Sequence, residues 1–150
     1  MERLIYSSRW AERVEADVNE TIRRIVSVSI SNNRLANLTG LLFARDGWFI
    51  QVLEGPRGAI ANAMDRIEHD PRHSDVRVLA AGPARGRLFH DWNMTAANPE
   101  NAPGPLLACM GMTGGFNPSR LDAAQALDMM IALADQERAR ERAALGLDAA

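Results

Sequence analysis

The sequence predicts an α+β fold with the element order βαββαββ, in which one mixed sheet carries two helices on one face. Three observations indicate this fold. The Asp-Gly pair at 46–47 separates two apolar runs and is typical of a tight β-hairpin. The segments 18–29 and 60–67 have apolar residues at helical spacing. A further helical segment near the C-terminus is expected to cover the other face of the sheet.

The first strand is predicted at Arg3–Ser8, a short run of apolar and aromatic residues without glycine or proline. The first long helix is predicted to begin at Asp17, which can cap it together with Glu20 three residues later. Its apolar stripe extends to Asn32 and Asn33. The buried face of this helix therefore ends in two amides, where methyl groups would be expected.

The hairpin strands are predicted at Leu38–Ala44 and Trp48–Glu54 and should pair antiparallel. Side chains alternate between the two faces of a strand, so Gln51 shares a face with Phe49 and Leu53. Gln51 is thus a polar side chain on an otherwise apolar face.

A second helix over 60–67 is expected to end before Pro71, because proline interrupts a helix. Strands are predicted at Val76–Ala81 and Phe89–Thr95. The segment Asn98–Pro118, rich in Pro, Gly and Asn, is expected to be a connection with one short helix near Leu106–Met110. A last helix is predicted from Ser119 onwards.

The composition is that of one globular domain. The chain has 150 residues, a net charge of −2 and 47% hydrophobic residues, which argues against an electrostatic nucleic-acid binder. The single cysteine, Cys109, cannot form an intramolecular disulfide, and Met1–Tyr6 lacks the apolar run of a signal peptide. No stretch approaches a membrane span. We therefore expect a cytoplasmic protein that binds neither nucleic acid nor membrane.

The candidate metal-binding and catalytic motifs of this sequence lack the spacing or the structural context that such sites require. His69 and His73 have the spacing of a metal-binding pair, but Pro71 lies between them and breaks the helix that the spacing requires. Gly111–Gly115 lacks the spacing and the preceding strand of a phosphate-binding loop. Neither Cys109 nor any serine lies in a strand-turn-helix elbow. We expect no metal and no catalytic nucleophile.

Several amides and aromatic residues are predicted to converge on one pocket between the sheet and the two helices: Tyr6, Asn32, Asn33, Gln51, Trp92 and Met94. Such a pocket suits a flat, mostly apolar ligand with donors and acceptors along one edge. Each residue also has an ordinary structural explanation. Tyr6 and Trp92 can be core aromatics, Asn33 a helix C-cap and Gln51 a hydrogen-bonded buried amide.

Five stretches then follow one another in a familiar order: Arg3-Leu-Ile-Tyr6-Ser-Ser8, Ser31-Asn32-Asn33 with Asn37-Leu-Thr-Gly40-Leu-Leu42, Phe49-Ile-Gln51-Val-Leu-Glu54-Gly55, Asp70-Pro-Arg72-His73, and Phe89-His-Asp-Trp92-Asn-Met94. Together they resemble the BLUF domain, the family of blue-light sensors that use FAD. The resemblance covers about the first two thirds of the chain.

The resemblance implies a ferredoxin-like sheet that holds a flavin between two helices. It implies a flavin-binding photosensor core over residues 1–97 and a C-terminal helical extension over 98–150 that packs on the sheet. The implied cofactor is FAD, with FMN as an alternative. The implied cofactor-binding residues are Ile25, Ser29, Asn32, Asn33, Gln51, Arg66, Ile67, Arg72 and His73, and the implied photoactive residues are Tyr6, Gln51, Trp92 and Met94.

The resemblance also implies roles for these residues. Asn32 and Asn33 would bind the polar edge of the flavin, Ile25 and Ile67 would flank the ring, and Arg66, Arg72 and His73 would lie near the ribityl and phosphate portion. In the family mechanism, Tyr6 gives the excited flavin an electron and a proton, and both return. A changed orientation or tautomer of Gln51 persists and shifts the absorption to the red. Trp92 or Met94 would then face the pocket beside Gln51.

A short stand-alone photoreceptor of this kind is expected not to be an enzyme. It would signal to a separate protein partner or through a change in a homo-oligomer. Two alternatives stay open. A flavin-dependent enzyme would need room for a second substrate, and an acylphosphatase-like hydrolase with the same topology would need a phosphate-holding loop at a helix N-terminus.

Overall fold

The computed structural model describes residues 1–97, 104–112 and 114–147. In chain order the elements are β1 (Glu2–Trp10), α1 (Glu12–Glu15), α2 (Val18–Ala36), β2 (Thr39–Arg45), β3 (Trp48–Gly55), α3 (Arg57–Glu68), β4 (His73–Pro83), α4 (Gly104–Cys109), a 3-10 turn (Pro118–Arg120) and α5 (Ala123–Ala144). None of the helices in the described residues is long and apolar enough to span a membrane.

The sheet has four strands in the order β2-β3-β1-β4, and each neighbouring pair is antiparallel. The hairpin predicted at Asp46-Gly47 joins β2 to β3, with both residues at positive φ, 53° and 88°. This is the geometry that a two-residue hairpin turn requires. The predicted α+β class is therefore confirmed.

The fifth strand predicted at Phe89–Thr95 is wrong as a regular strand. Its end does run beside β2, where Gly40 N donates to Trp92 O (3.0 Å), Leu42 N donates to Thr95 O (2.9 Å) and Leu42 forms one parallel bridge with Ala96. The backbone bends at Asn93 because the polar groups of Asn93 bond outside a ladder, to the Asn33 side chain and the Leu38 carbonyl. Within the described residues, this bridge and the hydrogen bonds beside it form the parallel part of the sheet.

The two faces of the sheet carry separate apolar cores. On one face α2 and α3 pack against Tyr6, Phe49 and Leu53. On the other face α5 packs its Met129, Met130 and Leu133 side chains against a second core, whose sheet residues are Ile5, Leu41, Phe43, Ile50 and Val52. Two helices on one face and a C-terminal helix on the other were expected, and the alternation of β3 side chains is as predicted.

Helix ends differ from the sequence expectation in two places. Helix α2 is capped by Asp17 as predicted, but it ends at Ala36 with Asn37 in the left-handed conformation, so Asn33 is not its C-cap. Helix α5 begins at Ala123, because Asp122 and Gln125 form a reciprocal capping box there and not at Ser119. The predicted short helix near Leu106–Met110 is present as α4.

Candidate functional site

A cleft of about 190 Å³ lies between α2, α3 and the sheet. Ten of the sequence-predicted site residues line it: Tyr6, Ile25, Ser29, Asn32, Asn33, Gln51, Arg66, Ile67, Arg72 and His73. They come from five elements and from the turn before β4, so tertiary structure brings together residues up to 67 positions apart. Among the clefts formed by the described residues, this one contains the most predicted site residues.

Two side chains that line the cleft, Tyr6 and Gln51, belong to a buried hydrogen-bond chain whose third member, Met94, is not part of the cleft lining. Tyr6 of β1 and Gln51 of β3 are register partners in the sheet, and the Tyr6 hydroxyl donates to Gln51 Oε1. Gln51 Nε2 donates to Met94 Sδ at 3.3 Å. All three residues are at most 4% exposed. The Gln51 amide is thus held at both ends, by a phenol at its oxygen and by a thioether at its nitrogen.

The phenol of Tyr6 stays protonated. Burial raises its pKa far above the ordinary tyrosine value, and the nearby negative charge of Asp70 raises it further. Tyr6 therefore enters any reaction in this cleft with its proton in place, and a hydrogen-bond acceptor, Gln51 Oε1, is already aligned with that proton.

Met94 can pack closely against β2, beside Gln51, because residue 40 is a glycine and has no side chain. A Cβ at Gly40 would lie 2.1 Å from the backbone oxygen of Val52 and 3.1 Å from Met94 Cε. Any larger side chain would displace either the β2–β3 pairing or the methionine. Gly40 therefore helps to set the position of the thioether.

His73 forms one wall of the cleft with a defined ring orientation. Its Nε2 lies 2.5 Å from the Ile67 carbonyl oxygen, and its Nδ1 lies 2.8 Å from the Ser8 hydroxyl. A carbonyl can only accept, so in the neutral ring Nε2 carries the proton and Nδ1 accepts from Ser8. The imidazole thus ties β1 to the end of α3 beside Tyr6.

Of the two arginines in the cleft, Arg72 is engaged with a carboxylate. Its guanidinium binds Asp70, whose carboxyl pKa burial would raise but the hydrogen bonds from Arg72 bring below the ordinary value. Arg66 of α3 is exposed at the cleft, and none of the residues that the structure describes forms an ion pair with it. Arg66 is therefore the cation available to an anionic ligand group.

The two asparagines of α2 have different surroundings. Asn33 is buried, and its Nδ2 donates to the Asn93 carbonyl at 2.8 Å, which joins α2 to the segment before Met94. Asn32 is exposed at the cleft. Asn33 thus has a structural contact that the sequence did not predict, in addition to its place in the cleft.

Trp92 lies away from the cleft, on the side of α5. Its indole Nε1 donates to Glu141 Oε1 at 2.8 Å, and its ring packs partly against the second core. In a regular strand Trp92 and Met94 would share a face. The bend at Asn93 separates them, so the structure brings Met94 to Gln51 and leaves Trp92 outside.

Sequence reasoning missed six residues that line the cleft: Val28, Leu42, Phe49, Leu53, Ala63 and Asp70. Three of them could have been found from local patterns. Phe49 and Leu53 share the strand face of Gln51. Val28 lies three residues after Ile25 and four before Asn32, which is helical spacing on one face. No local pattern distinguishes Asp70, whose importance depends on its bond to Arg72.

The donor set fits a flavin. The cleft offers aliphatic side chains from both helices, a buried and hydrogen-bonded amide on β3, amides on α2 and an unpaired cation at its exposed end. A flavin is a planar ring with a polar edge and a phosphate-bearing tail, so each part has a matching group.

Comparison with known proteins agrees with this fit. Residues 1–95 match the family BLUF, sensors of blue-light using FAD. A curated relative, photoactivated adenylate cyclase subunit beta of Euglena gracilis, is 36% identical over 77 residues, which are 51% of this chain and 9% of that protein. This chain therefore spans only about a tenth of that relative's length.

Two solved structures resemble this fold. The photo-activated state of BlsA has a TM-score of 0.78 and 26% identity, over 89% of this chain and 94% of that one. The dark-state structure of BlrB, a BLUF protein, has a TM-score of 0.70 and 25% identity, over 90% of this chain and 96% of that one. The expected ferredoxin-like BLUF fold is confirmed.

The match extends over 95 of the 150 residues and includes the cleft and the hydrogen-bond chain beside it. It favours a light sensor over a flavin-dependent enzyme or an acylphosphatase-like hydrolase. The two matched structures cover 89% and 90% of this chain. The chain belongs to the BLUF family of blue-light sensors that use FAD.

Proposed function

We propose that this chain senses blue light through the hydrogen-bond chain Tyr6–Gln51–Met94 beside the flavin cleft. The single observation that carries the proposal is the Tyr6 hydroxyl bonded to Gln51 Oε1 while Gln51 Nε2 bonds to Met94 Sδ. A primary amide accepts at its oxygen and donates at its nitrogen, so turning it reverses the polarity of the whole chain.

FAD, or FMN as the alternative, supplies the absorption of blue light and an excited state that takes up an electron and a proton and returns them. Tyr6 is the source within the protein. It is the one tyrosine in the sequence, it is buried, and its hydroxyl proton is present and bonded to Gln51. The phenol is restored when both particles return.

The lasting change in this proposal is in the Gln51 side chain. After the proton has passed and returned, its amide is left rotated or tautomerised, with an N–H towards the Tyr6 oxygen. One hydrogen bond is worth about 0.5 to 1.5 kcal/mol net, so the two arrangements must be close in free energy for light to change their populations.

The remaining cleft residues hold the cofactor in this proposal. Asn32 and Asn33 bind its polar edge, and Arg66 binds its phosphate end with help from Arg72 and His73. Ile25 and Ile67 flank the ring, and Ser29 contributes a hydroxyl on α2. The support is that all of these residues line the same cleft.

The test is the absorption spectrum of the purified 150-residue chain with FAD, recorded in dim light, after blue illumination and during dark recovery. We expect the flavin bands to move reversibly to the red. Gln51→Leu should bind FAD but lose this shift, whereas the matched control Gln136→Leu on α5 should keep it. A wild-type spectrum that light does not change, or a normal shift in Gln51→Leu, would contradict the proposal.

The same proposal divides the chain into a photosensor core, residues 1–97, and a helical extension, residues 98–150. The family match over 1–95 and the packing of α5 on the opposite face of the sheet support it. Residues 98–103, 113 and 148–150 lie outside the described part of the extension.

BLUF domains signal to partner effector domains or proteins. For this chain we propose a separate protein partner or a light-dependent homo-oligomer, with the exposed C-terminal end of α5 and the adjoining Leu145 as the contact surface. Light scattering of dark and illuminated protein tests the homo-oligomer, since its mass should change with light.

A cytoplasmic location is part of the proposal, because a chain with one cysteine suits a reducing compartment, and a fluorescent fusion would test it.

A further inference from the structure

The C-terminal half of α5 holds the loop that carries Trp92. Arg138 Nη2 donates to the Leu88 carbonyl at 2.6 Å and to Asp91 Oδ1 at 2.7 Å, and Arg138 Nε donates to the same oxygen at 3.0 Å. Glu141 accepts from the Trp92 indole at 2.8 Å. We call these four residues, Asp91, Trp92, Arg138 and Glu141, the α5 clamp.

The members of the α5 clamp also contact one another across the loop. The Arg138 guanidinium lies over the Trp92 ring, 5.3 Å from its centroid. The hydrogen bond from Arg138 lowers the pKa of the Asp91 carboxyl, which keeps the pair charged. A single exposed ion pair contributes little to stability. Here two side chains of α5 bind three groups of one short loop: a carbonyl, a carboxylate and an indole.

The loop held by the clamp is directly connected to the photoactive chain. Met94, two residues after Trp92, accepts from Gln51 at 3.3 Å. Between them the backbone is bonded to β2 and α2, through Gly40 N to Trp92 O and through Asn33 Nδ2 to Asn93 O. Trp92 could replace Met94 beside Gln51 only if the segment moved by about two residues, roughly 7 Å along β2. That movement would break the contacts of Trp92 with Glu141 and of Asp91 with Arg138.

The exchange would matter chemically because the two side chains have opposite hydrogen-bonding properties. A thioether can only accept, whereas an indole N–H can only donate. Met94 therefore favours the Gln51 orientation with nitrogen towards residue 94 and oxygen towards Tyr6, as observed. An indole in the same place would favour the opposite orientation of the amide.

We propose that Arg138 and Glu141 are positioning residues for the light reaction: by holding Trp92 outside, they keep Met94 beside Gln51 and so set the dark orientation of its amide. The inference rests on the proposed function of Tyr6 and Gln51.

The test uses the full chain loaded with FAD and three substitutions on α5. Glu141→Ala removes the acceptor for Trp92. Glu141→Gln keeps a carbonyl oxygen that can still accept from the indole. Arg142→Ala is the matched control, since Arg142 is exposed on the same helix end and its side chain forms no hydrogen bond or ion pair with any described residue.

Two quantities report on the clamp. The first is the emission of Trp92 in the dark, taken as the difference between each protein and the same protein with Trp92→Phe, because an indole beside bound flavin is quenched. The second is the rate of dark recovery. In Glu141→Ala we expect lower Trp92 emission and a recovery rate changed about two- to tenfold, the equivalent of one net hydrogen bond. Glu141→Gln and Arg142→Ala should match the wild type.

Unchanged emission and recovery in Glu141→Ala would overturn the inference, even if the red shift of the wild type is normal. A wild type without any red shift would instead overturn the proposed function, and the dark emission would still test the clamp. Glu141→Ala in a Trp92→Phe background should have no additional effect on recovery, because the clamped side chain is already gone. Additive effects would show that Glu141 acts without Trp92 and would also overturn the inference. Arg138→Ala should repeat the Glu141→Ala result if that variant folds poorly.

Discussion

The carboxylate of Asp70 binds the guanidinium of Arg72 within the flavin cleft, with Arg72 Nη2 2.5 Å from Asp70 Oδ2 and Arg72 Nε 3.0 Å from both carboxylate oxygens. The backbone N–H of Arg72 donates to the same carboxylate at 2.9 Å. The pair occupies the turn between α3 and β4. Its consequence is that the two arginines of the cleft differ, since Arg72 carries a counterion and Arg66 does not among the described residues.

Arg66→Ala should therefore weaken binding of FAD more than binding of riboflavin. The lost contact is an exposed charge pair with phosphate, worth about 1 kcal/mol, or roughly fivefold in Kd. Titration of the apoprotein with each flavin, followed by flavin fluorescence, measures the difference. Arg57→Ala at the other end of α3 is the control and should alter neither affinity. Equal losses for the two flavins in Arg66→Ala would remove Arg66 from the phosphate end.

Asp70→Asn should lower stability at neutral pH and not in acid. The pKa of Asp70 is below its ordinary value of 3.8 because the hydrogen bonds from Arg72 outweigh burial, so the pair stabilises the fold above that value and its contribution is lost as pH falls through the folded pKa. Because solvent screens this partly exposed pair, we expect a deficit of at most about 1 kcal/mol at pH 7, which closes as the pH falls below the ordinary value of 3.8 and through the lower folded pKa.

Urea unfolding at several pH values checks this expectation. The control is Asp128→Asn, an exposed carboxylate on α5 for which no such deficit is expected. If the deficit of Asp70→Asn were the same in acid as at pH 7, its cause would not be the charge pair with Arg72.

Tyr6→Phe should bind flavin normally and lose the light-induced red shift. Phenylalanine keeps the buried ring but has no hydroxyl proton to pass to Gln51 Oε1. Difference spectra before and after blue light measure the shift, and thermal unfolding of the variant verifies that the fold is retained. A shift of wild-type size would show that another residue supplies the electron and proton.

Glu54→Ala should be strongly destabilising, because the Glu54 carboxylate is fully buried and accepts three hydrogen bonds. Arg3 Nε donates to it at 2.8 Å, and the backbone N–H groups of Leu88 and Phe89 donate at 2.9 and 2.8 Å. Removing one member of a buried charge pair costs about 3 to 5 kcal/mol. Chemical denaturation measures the loss. Glu2→Ala, which removes a longer contact to exposed Arg57, should cost less than about 1 kcal/mol. Similar values for the two variants would mean that Glu54 does not anchor the loop after β4.

Leu133→Ala should destabilise the protein without abolishing the red shift. Leu133 is 2% exposed in the core between α5 and the sheet, on the face opposite the cleft. Truncation of a buried leucine costs about 2 to 5 kcal/mol. Leu145→Ala, at an exposed position, is the control and should cost less than about 0.5 kcal/mol. Equal stability of both variants would mean that α5 is not part of the folded core.

Local periodicities predicted that part of the cleft lining would share one pocket. Gln51 alternates with Phe49 and Leu53 on one strand face, and Asn32 and Asn33 continue the apolar stripe of a helix. Such patterns state which face a side chain occupies, and packing of two helices on that face brings the residues together. The fifth strand was wrong because its apolar residues match a strand pattern, whereas the Asn93 carbonyl accepts from the Asn33 side chain and the Asn93 side chain donates to the Leu38 carbonyl, both far away in the chain.

By itself the sequence determined the α+β fold and the hairpin, since each depends on the spacing of neighbours along the chain. The same local patterns placed Tyr6, Asn32, Asn33 and Gln51 in one pocket, whereas the other six predicted residues that line the cleft were implied by the resemblance to the BLUF family. Only the tertiary structure decided that Met94 faces Gln51, that Trp92 bonds to Glu141, and that Arg72 is held by Asp70. The physical reason is that a periodicity defines a face but not a partner. Trp92 and Glu141 are 49 residues apart, and their contact exists only because α5 packs across the sheet.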